Sequence, residues 1–317
     1  MIIVSDINNF IYDGRMAVTI GKFDGFHLGH EEIVKHLSAY KDKGLDLGVV
    51  TFREPPMSVL NSQETSGVIT TNAEKHLIFE ELGFDYYIEL PFDESIRCLE
   101  ACDFVRNILI DRLHMKACVL GVDLRFGYKA GGDRHTLETM GPDYDFAVEV
   151  IEKVTYEGEV VSSTLIRQLI EDGNVEKAGR LLKSPYHFYG PVVHGKEIGR
   201  TIFMPTANLI PDRDKLLPPY GVYASETEYG GRTYKSVTNV GIKPTIGTDK
   251  SEVSVETYLL DFDGSIYGEN IRVSLIDRIR DEMKFASLDD LKNQMMKDIE
   301  FVSSGADKTE GYYVNQT

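Results

Sequence analysis

The sequence is short of basic residues. Its 317 residues include 34 Lys and Arg against 51 Asp and Glu, a formal net charge of −17. A nucleic-acid-binding surface needs an excess of positive charge to displace counterions, so this composition argues against DNA or RNA as a partner. The charge fits a protein that binds small ligands, and local donors must then hold any anionic ligand.

Cysteine is also scarce. Cys98, Cys102 and Cys118 are the three in the chain. Their number is odd, and their spacing matches neither a Cys-x-x-Cys metal site nor a disulfide framework. The pattern predicts free thiols in a reducing compartment.

The chain lacks any apolar run near the roughly 20 residues that span a bilayer. Its first residues, 1–6, do not form a basic segment followed by an apolar core, so no secretion signal is predicted. Internal repeats and low-complexity segments are absent as well. We therefore expect a cytoplasmic protein with no membrane partner.

The length predicts two domains. In the first half, helical patterns alternate with strand patterns, and this alternation predicts a parallel sheet covered on both faces. Thr71 and Glu74 form a capping box for a helix that runs to about Leu82. The predicted strands are 17–20, 47–52, 86–90, 117–121 and 146–151.

The second half follows two short helices, about 164–171 and 175–182, and a break at Lys183-Ser184-Pro185. Short strands in succession predict an antiparallel barrel or sandwich. A closing helix begins at Ser287. The predicted strands are 188–194, 220–226, 233–240, 254–261 and 270–279.

The most informative motif is a glycine-rich turn between the strand 17–20 and a helix. It contains Gly21 and Gly25 and ends in His27 and His30. A helix N-terminus aimed at a strand end is an anion site, and two imidazoles there can donate hydrogen bonds to phosphate oxygens. By itself, His-x-x-His is typical of surface histidines in a tight turn. The strand before it and the glycines favour the phosphate interpretation.

A second motif, Ser162-Ser163-Thr164-x-x-Arg167, opens a helix late in the first domain. Hydroxyls, N-terminal amides and a guanidinium together can clamp a phosphate. The alternative is an ordinary N-cap with a solvent-facing arginine. The two motifs together could pose and stabilise a nucleotidyl transfer, which needs little covalent help from the protein.

The combination resembles the His-x-Gly-His nucleotidyltransferases. The order of motifs in the first half is similar to the FAD synthetase domain of bacterial bifunctional riboflavin kinases/FMN adenylyltransferases. The motifs are Gly21-x-Phe23-Asp24-Gly25-x-His27-x-Gly-His30, then Asp123-x-Arg125-Phe126, then the serine motif. A Lys-Met-Ser-Lys-Ser-like loop, which class I aminoacyl-tRNA synthetases carry, is not found. Three stretches of the second half resemble the family's kinase domain. They are Pro205-Thr206-Ala-Asn208, the stretch from Glu256 to Gly264, and Arg280-Asp-Glu282-x-Lys-Phe285.

The resemblance implies a Rossmann-like α/β adenylyltransferase domain with a parallel sheet over residues 1–183. It implies an antiparallel β-barrel riboflavin kinase domain with a C-terminal helix over 184–302, and a polar tail follows over 303–317. The first domain would adenylylate FMN with ATP to give FAD and pyrophosphate, and the second would phosphorylate riboflavin to FMN. Riboflavin, FMN and ATP are then the partners and Mg²⁺ the cofactor. The oligomeric state stays open between a monomer and a weak homo-oligomer.

Site residues follow by position from the same resemblance. His27 and His30 would be catalytic in adenylyl transfer, and Glu256 would be the general base of the kinase. Thr206 and Asn208 would place Mg²⁺ and the transferred phosphate. Arg280, Glu282 and Phe285 would bind flavin. The remaining nucleotide- or phosphate-binding residues are Gly21, Phe23, Asp24, Gly25, Asp123, Arg125, Phe126, Ser162, Ser163, Thr164, Arg167, Gly195, Lys196 and Gly199.

The motifs of the second half, and the function of the whole chain, also have alternative interpretations. Gly190–Glu197 nearly spells a P-loop, but Glu197 stands where Ser or Thr should bind Mg²⁺. Without the family motif, Glu256 is a strand carboxylate facing solvent, and Thr206 and Asn208 lie in a turn. Three alternative functions remain. They are an enzyme of the same architecture with one inactive site, a flavin- or nucleotide-binding regulator without turnover, and a nucleotidyltransferase for another substrate.

Overall fold

A computed structural model describes residues 1–53, 67–194, 204–244 and 251–304. The chain divides into two compact units, Met1–Ser162 and Ser163–Thr317. Residues 305–317 of the predicted tail lie outside the described residues, and Ser303, which was assigned to that tail, is the last residue of a helix.

The first unit is a six-stranded sheet in which every strand pair is parallel, with the order β1-β4-β3-β2-β5-β6. This confirms the predicted Rossmann-like fold class. The strands are β1 (Ile2–Val4), β2 (Met16–Ile20), β3 (Asp46–Phe52), β4 (Tyr86–Leu90), β5 (Met115–Gly121) and β6 (Ala147–Ile151). A short hairpin, β7 (Thr155–Tyr156) and β8 (Glu159–Val160), follows.

Helices cover both faces of this sheet because side chains of successive strand residues point to opposite faces. One apolar core contains residues of α1 and α2, and the other contains residues of the helical stretch after β4 and of α5. The helices are α1 (Leu28–Ser38), α2 (Asn72–Glu81), α3 (Glu94–Arg97), α4 (Ala101–Phe104, continued by a π-helical stretch Val105–Ile110) and α5 (Arg134–Tyr144).

The predicted capping box of α2 is present. The Thr71 side chain accepts a hydrogen bond from the Glu74 amide, and the Glu74 carboxylate accepts one from the Thr71 amide. Strand β1 was not among the predicted strands. It has three residues, too few for a periodic pattern, and its pairing with β4 defines it.

The second unit is a closed antiparallel barrel in the order β10-β13-β12-β11-β14-β9. The predicted barrel is thereby confirmed, and β10 adds a strand where a turn was the alternative. The elements are α6 (Ser163–Glu171), α7 (Val175–Leu182), β9 (Tyr186–Val193), β10 (Ala207–Leu209), β11 (Gly221–Tyr229), β12 (Arg232–Pro244), β13 (Ser251–Leu259), β14 (Asn270–Asp281) and α8 (Leu288–Ser303).

Successive side chains along each strand alternate between the outer face of the barrel and its interior. Val222, Ala224 and Val237 pack with Val302 of α8 on the outer face. The neighbouring positions therefore face the interior, where buried hydroxyls of five residues hydrogen-bond to one another: Ser225, Thr227, Ser236, Thr238 and Thr257. This network satisfies the buried polar groups inside the barrel.

Gly127 holds the segment after β5 close to α4. Its φ is +73°, and a Cβ there would lie 2.7 Å from the Ala101 Cα. Gly158 has a similar φ of +85°, but a Cβ there would meet nothing within 4 Å. We expect Gly158→Ala to reduce the free energy of unfolding by roughly 1 kcal/mol from backbone strain alone.

Gly127→Ala adds a backbone collision to the same strain, so we expect a further loss of about 2 kcal/mol. Urea unfolding of the two variants measures the difference, and equal losses would contradict the close approach to Ala101.

Candidate active sites

The side chains of the parallel sheet become polar at its carboxyl edge, on the face that carries α1 and α2. Thr19, Thr51 and Glu89 lie there on β2, β3 and β4, and all are buried. Each stands two residues beyond an apolar residue of the core on that face, in order Ala17, Val49 and Tyr87. We call Thr19, Thr51 and Glu89 the polar layer. The Thr19 and Thr51 hydroxyls have no hydrogen-bond partner among the described residues.

The predicted phosphate turn follows β2 and is tied to the residues before α2. Asp24 Oδ1 accepts hydrogen bonds from the amides of Ile69 (2.7 Å) and Thr70 (3.2 Å). The Gly25 amide donates to Thr70 Oγ1 at 3.1 Å. Asp24 therefore fixes the position of the turn through backbone groups.

The backbone of the turn is left-handed at Phe23 (φ +48°) and Gly25 (φ +73°). The Phe23 ring is buried and packs on Phe79 of α2, with ring centroids 5.1 Å apart. A Cβ at Gly21 would lie 3.0 Å from this ring, which is why a residue without a side chain suits that position.

His27 is the N-cap of α1. Its Nδ1 accepts hydrogen bonds from the amides of Gly29 (3.1 Å) and His30 (3.3 Å). The neutral ring therefore carries its proton on Nε2. His27 uses two of the amides that the sequence analysis expected to face a phosphate, so its own Nε2–H becomes the donor at this helix end.

His30 lies directly against His27, with ring centroids 3.7 Å apart and planes inclined by 15°. Its Nδ1 is 3.1 Å from the Gly25 carbonyl oxygen, to which it donates. The Phe23 ring is 4.9 Å away. Both imidazoles are thus held in fixed orientations by the turn.

Burial keeps the two imidazoles neutral. It lowers the pKa of His27 to about 4. Burial also lowers the pKa of His30 well below its ordinary value, and the neighbouring His27 lowers it further. An anion bound beside the rings would favour their charged forms. A protonated imidazole of the pair can then donate a hydrogen bond to a phosphate oxygen.

The predicted residues after β5 have different environments. Asp123 is exposed, and its carboxylate lies 3.3 Å from Lys153 Nζ. Arg125 is half-exposed and donates to the Leu124 carbonyl. The Phe126 ring is buried in the core next to Phe104.

The serine motif falls at the division of the chain. Ser162 ends the first unit, whereas Ser163, Thr164 and Arg167 belong to α6 of the second. Their assignment to a phosphate site continues to rest on the sequence motif. Gly195, Lys196 and Gly199 lie outside the described residues.

The second unit contains a cavity of about 310 Å³ between the outer barrel face, residues 282–285 and α8. Five of the predicted residues, from three separate stretches of sequence, line it: Thr206, Glu256, Arg280, Glu282 and Phe285. Apolar side chains cover much of the rest. A cavity with apolar walls and a few polar groups is typical of a small-molecule site.

Glu256 is the central carboxylate of this wall. It pairs in register with Asn208 of β10 on one side and with Asn239 of β12 on the other. Adjacent residues in register point to the same face, so the three side chains form a row. Asn239, which also lines the cavity, was missed by the sequence analysis. Strand alternation could have identified it: Thr238, the residue before it, faces the barrel interior, so Asn239 faces the outer wall.

Arg280 is held by a buried ion pair rather than free in the cavity. Its guanidinium donates to the Asp298 carboxylate of α8, with the shortest distance 2.8 Å. Gln294 Nε2 donates to the same carboxylate at 2.9 Å. The Phe285 ring centroid lies 6.0 Å from the guanidinium carbon. Asp298 thus fixes α8 against the cavity wall.

The oxygen donors on this wall suit Mg²⁺, which prefers hydroxyl, amide and phosphate oxygens to nitrogen or sulfur. Thr206 lines the cavity just before β10, whereas Asn208 lies within β10 and is not among the lining residues. The Asn208 Nδ2 donates to the Thr206 carbonyl at 3.3 Å. Within the described ranges no cluster of three or more His, Cys, Asp or Glu forms a metal site. Any ion here would complete its shell with substrate phosphates.

Both units match families of known proteins. A family model described as FAD synthetase matches residues 11–165, and one described as riboflavin kinase matches 182–304. The chain is therefore an enzyme with two catalytic domains. It belongs to the family of bifunctional riboflavin kinases/FMN adenylyltransferases.

Relatives of that name match along almost the whole chain. The protein of Buchnera aphidicola subsp. Acyrthosiphon pisum is 36% identical, covering 90% of this chain and 92% of its own length. Those of Escherichia coli K12 (36%; 89% and 90%) and Bacillus subtilis 168 (35%; 90% and 90%) are similar.

A solved structure from Streptococcus pneumoniae, described as a macrolide-efflux protein, is also similar. It has a TM-score of 0.85 and 32% identity, covering 96% of this chain and 100% of that one. Among the described helices of the present protein, none has the length and apolar character needed to cross a membrane.

We expect a pKa of about 4 for His27 in the free protein, against an ordinary value of 6.5. NMR titration of the imidazole signals measures it, with His27→Gln for assignment. Inorganic pyrophosphate is expected to raise this pKa, because a nearby anion favours the imidazolium.

The lowered pKa of His27 makes folding stability depend on pH. The unfolded chain takes up the proton first, so folding stability falls as the pH drops from 6.5 towards 4. His27→Gln removes this contribution. An NMR pKa near 6.5 would contradict the burial of the ring.

Removing one partner of the Arg280–Asp298 pair leaves a buried charge. We expect Asp298→Ala to lower the free energy of unfolding of the barrel by about 3 kcal/mol. The double variant Arg280→Met/Asp298→Leu should lose less, because neither charge remains. Urea unfolding compares them, and equal losses would argue that the charge pair is not what couples α8 to the barrel.

Proposed function

We propose that this chain catalyses both reactions named for its relatives. The barrel domain phosphorylates riboflavin with ATP to give FMN. The α/β domain transfers AMP from ATP to FMN, giving FAD and pyrophosphate. The observation that carries the proposal is the convergence of five predicted residues, from Thr206 to Phe285, on one cavity of the barrel.

For adenylyl transfer, an oxygen of the FMN phosphate attacks the α-phosphorus of ATP. The bond from that phosphorus to the bridging oxygen of the β-phosphate breaks, and pyrophosphate leaves. The His27 Nε2–H is available to a phosphate oxygen because Nδ1 is occupied by the α1 amides. His30 uses Nδ1–H on Gly25, so it donates through Nε2 when the bound phosphates have made the ring cationic.

The other assigned residues of this domain support the site in different ways. Gly21, Phe23, Asp24 and Gly25 shape the turn that presents the histidines. Asp123, Arg125 and Phe126 are proposed for the nucleotide or flavin pocket. For Ser162, Ser163, Thr164 and Arg167 the support is the sequence motif, which has the donors that a phosphate clamp requires.

For riboflavin phosphorylation, Glu256 accepts the proton of the terminal hydroxyl of riboflavin as the hydroxyl oxygen attacks the γ-phosphorus of ATP. ADP leaves. The row with Asn208 and Asn239 supports this role because it places the carboxylate among polar neighbours on the cavity wall. Thr206 and Asn208 would hold Mg²⁺, which would offset the charge of the ATP phosphates.

The flavin ring is proposed to lie between the barrel and α8. Phe285 offers an aromatic face, and Glu282 offers a hydrogen-bond acceptor at the cavity edge. Arg280 acts through its position, since its charge is paired with Asp298. Contacts of Gly195, Lys196 and Gly199 with ADP remain a proposal from the family resemblance.

The domain limits proposed for these activities are 1–183 and 184–302. The first range includes the FAD synthetase match, 11–165, and the riboflavin kinase match, 182–304, extends two residues beyond the second range at each end. The serine motif and α7 then belong with the adenylyltransferase in sequence. We also propose a cytoplasmic location, because both reactions consume ATP.

Two variants separate the activities. Glu256→Ala is expected to reduce FMN formation from riboflavin by about 100-fold or more while FAD formation from supplied FMN stays near wild type. His30→Ala is expected to do the reverse, with a loss of about 100-fold in FAD formation. Chromatographic time courses with riboflavin or FMN, ATP and Mg²⁺ measure both reactions.

The exposed residues Glu269 and His135 supply matched controls, and alanine there should leave both rates unchanged. Loss of both activities in either site variant would contradict two separate sites. Binding of flavin without any product from the wild type would instead favour a regulator.

A further inference from the structure

Lys75 is a buried lysine beside the histidine pair that the sequence motifs did not single out. It lies in the first turn of α2 and is 7% exposed. Among the described residues its ammonium makes no hydrogen bond and no ion pair. The positive end of the α2 dipole opposes a cation at this position. A structural role would call for a close anionic partner, and Lys75 has none there.

The carboxylates around Lys75 are engaged with other groups. Asp24 accepts from the backbone before α2, Glu74 accepts from the Thr71 amide, and Glu89 accepts from His76 at 2.8 Å. They attract the ammonium from a distance, but burial outweighs them and lowers the pKa of Lys75.

The ammonium belongs to the same neighbourhood as His30. Its charge lowers the pKa of His30, so the two groups interact electrostatically. Phe79, one turn further along α2, packs on the Phe23 ring, and Phe23 packs on His30. Lys75 and Phe79 therefore occupy the face of α2 that looks towards the phosphate turn.

This neighbourhood contains buried polar groups that no described residue satisfies. The Thr19 and Thr51 hydroxyls of the polar layer have no partner among the described residues, and Thr51 is paired in register with Glu89. An ammonium and two hydroxyls without acceptors match a ligand that offers acceptors alone. Phosphate oxygens are such acceptors.

We propose that Lys75 is a further phosphate-binding residue of the adenylyltransferase, contacting a polyphosphate oxygen of ATP or of the pyrophosphate product beside His30. The inference rests on the proposed placement of adenylyl transfer at His27 and His30. An ammonium on a largely buried lysine stabilises charge that develops on the leaving pyrophosphate more strongly than it would in water.

The test compares the wild type, Lys75→Met and Lys35→Met. Lys35 is an exposed lysine of α1 (70% side-chain exposure) and serves as the matched control. In Lys75→Met we expect kcat/KM for FAD formation from FMN and ATP to fall about 100-fold, mainly in kcat. Riboflavin phosphorylation by the same chain should stay within about twofold.

Two further measurements separate binding from folding. The Tm of Lys75→Met should equal or exceed that of the wild type, because a buried amine with a lowered pKa destabilises the folded state. By calorimetry with inorganic pyrophosphate, the variant should bind about 10-fold more weakly. Lys75→Gln repeats the test with a neutral side chain that keeps a polar end, should methionine disturb the fold.

FAD formation within about twofold of wild type in Lys75→Met, or a loss of activity accompanied by a lower Tm in both variants, would overturn the proposal. Failure of the wild type to form FAD would overturn the adenylyltransferase assignment instead. In that case unchanged pyrophosphate binding in the variant would separately reject the role of Lys75.

Discussion

The proposed adenylyltransferase site depends on the hydrogen bonds that His27 accepts at the start of α1. Because Nδ1 takes the amides of Gly29 and His30, the neutral ring must carry its proton on Nε2. The parallel stacking then fixes His30, whose own Nδ1–H is directed to Gly25. One capping interaction thus determines which nitrogen atoms of both rings are left for a substrate.

The same constraint extends to α2. Asp24 in the histidine turn binds the backbone just before that helix, and Thr71 caps the helix two residues after Ile69. The turn and α2 are therefore held together, and with them the buried ammonium of Lys75. The site has two neutral imidazoles and a lysine that pairs with no other residue in the described part of the chain. Any anion bound there would be held by these local donors, as the acidic composition requires.

The barrel places polar side chains both in its interior and on its outer wall. Alternation along each strand places hydroxyls in the interior and leaves Glu256 and its asparagine neighbours on the outer wall. That wall becomes a cavity because α8 packs across it, and the Arg280–Asp298 pair joins the two. Burial of both charges makes this pair sensitive to the loss of either partner.

Much of the fold could be predicted from sequence, since the periods of apolar residues and the capping boxes are local signals. The parallel sheet and the barrel were both predicted and are confirmed. Strands β1 and β10 were missed because three residues carry no period. Among the proposed site residues, Phe23 and Phe126 have rings buried in apolar cores, which a motif match cannot distinguish from ligand contact.

The order of the two domains, the family and the candidate positions of the reacting groups could all be predicted from the sequence, because these depend on short motifs and on strand and helix periodicity. The environments of those groups depend on the tertiary structure. The burial of His27, the partner of Arg280 and the surroundings of Lys75 depend on residues far apart in the chain, whose proximity no local pattern encodes. Burial, hydrogen bonding and charge at a site are properties of that proximity.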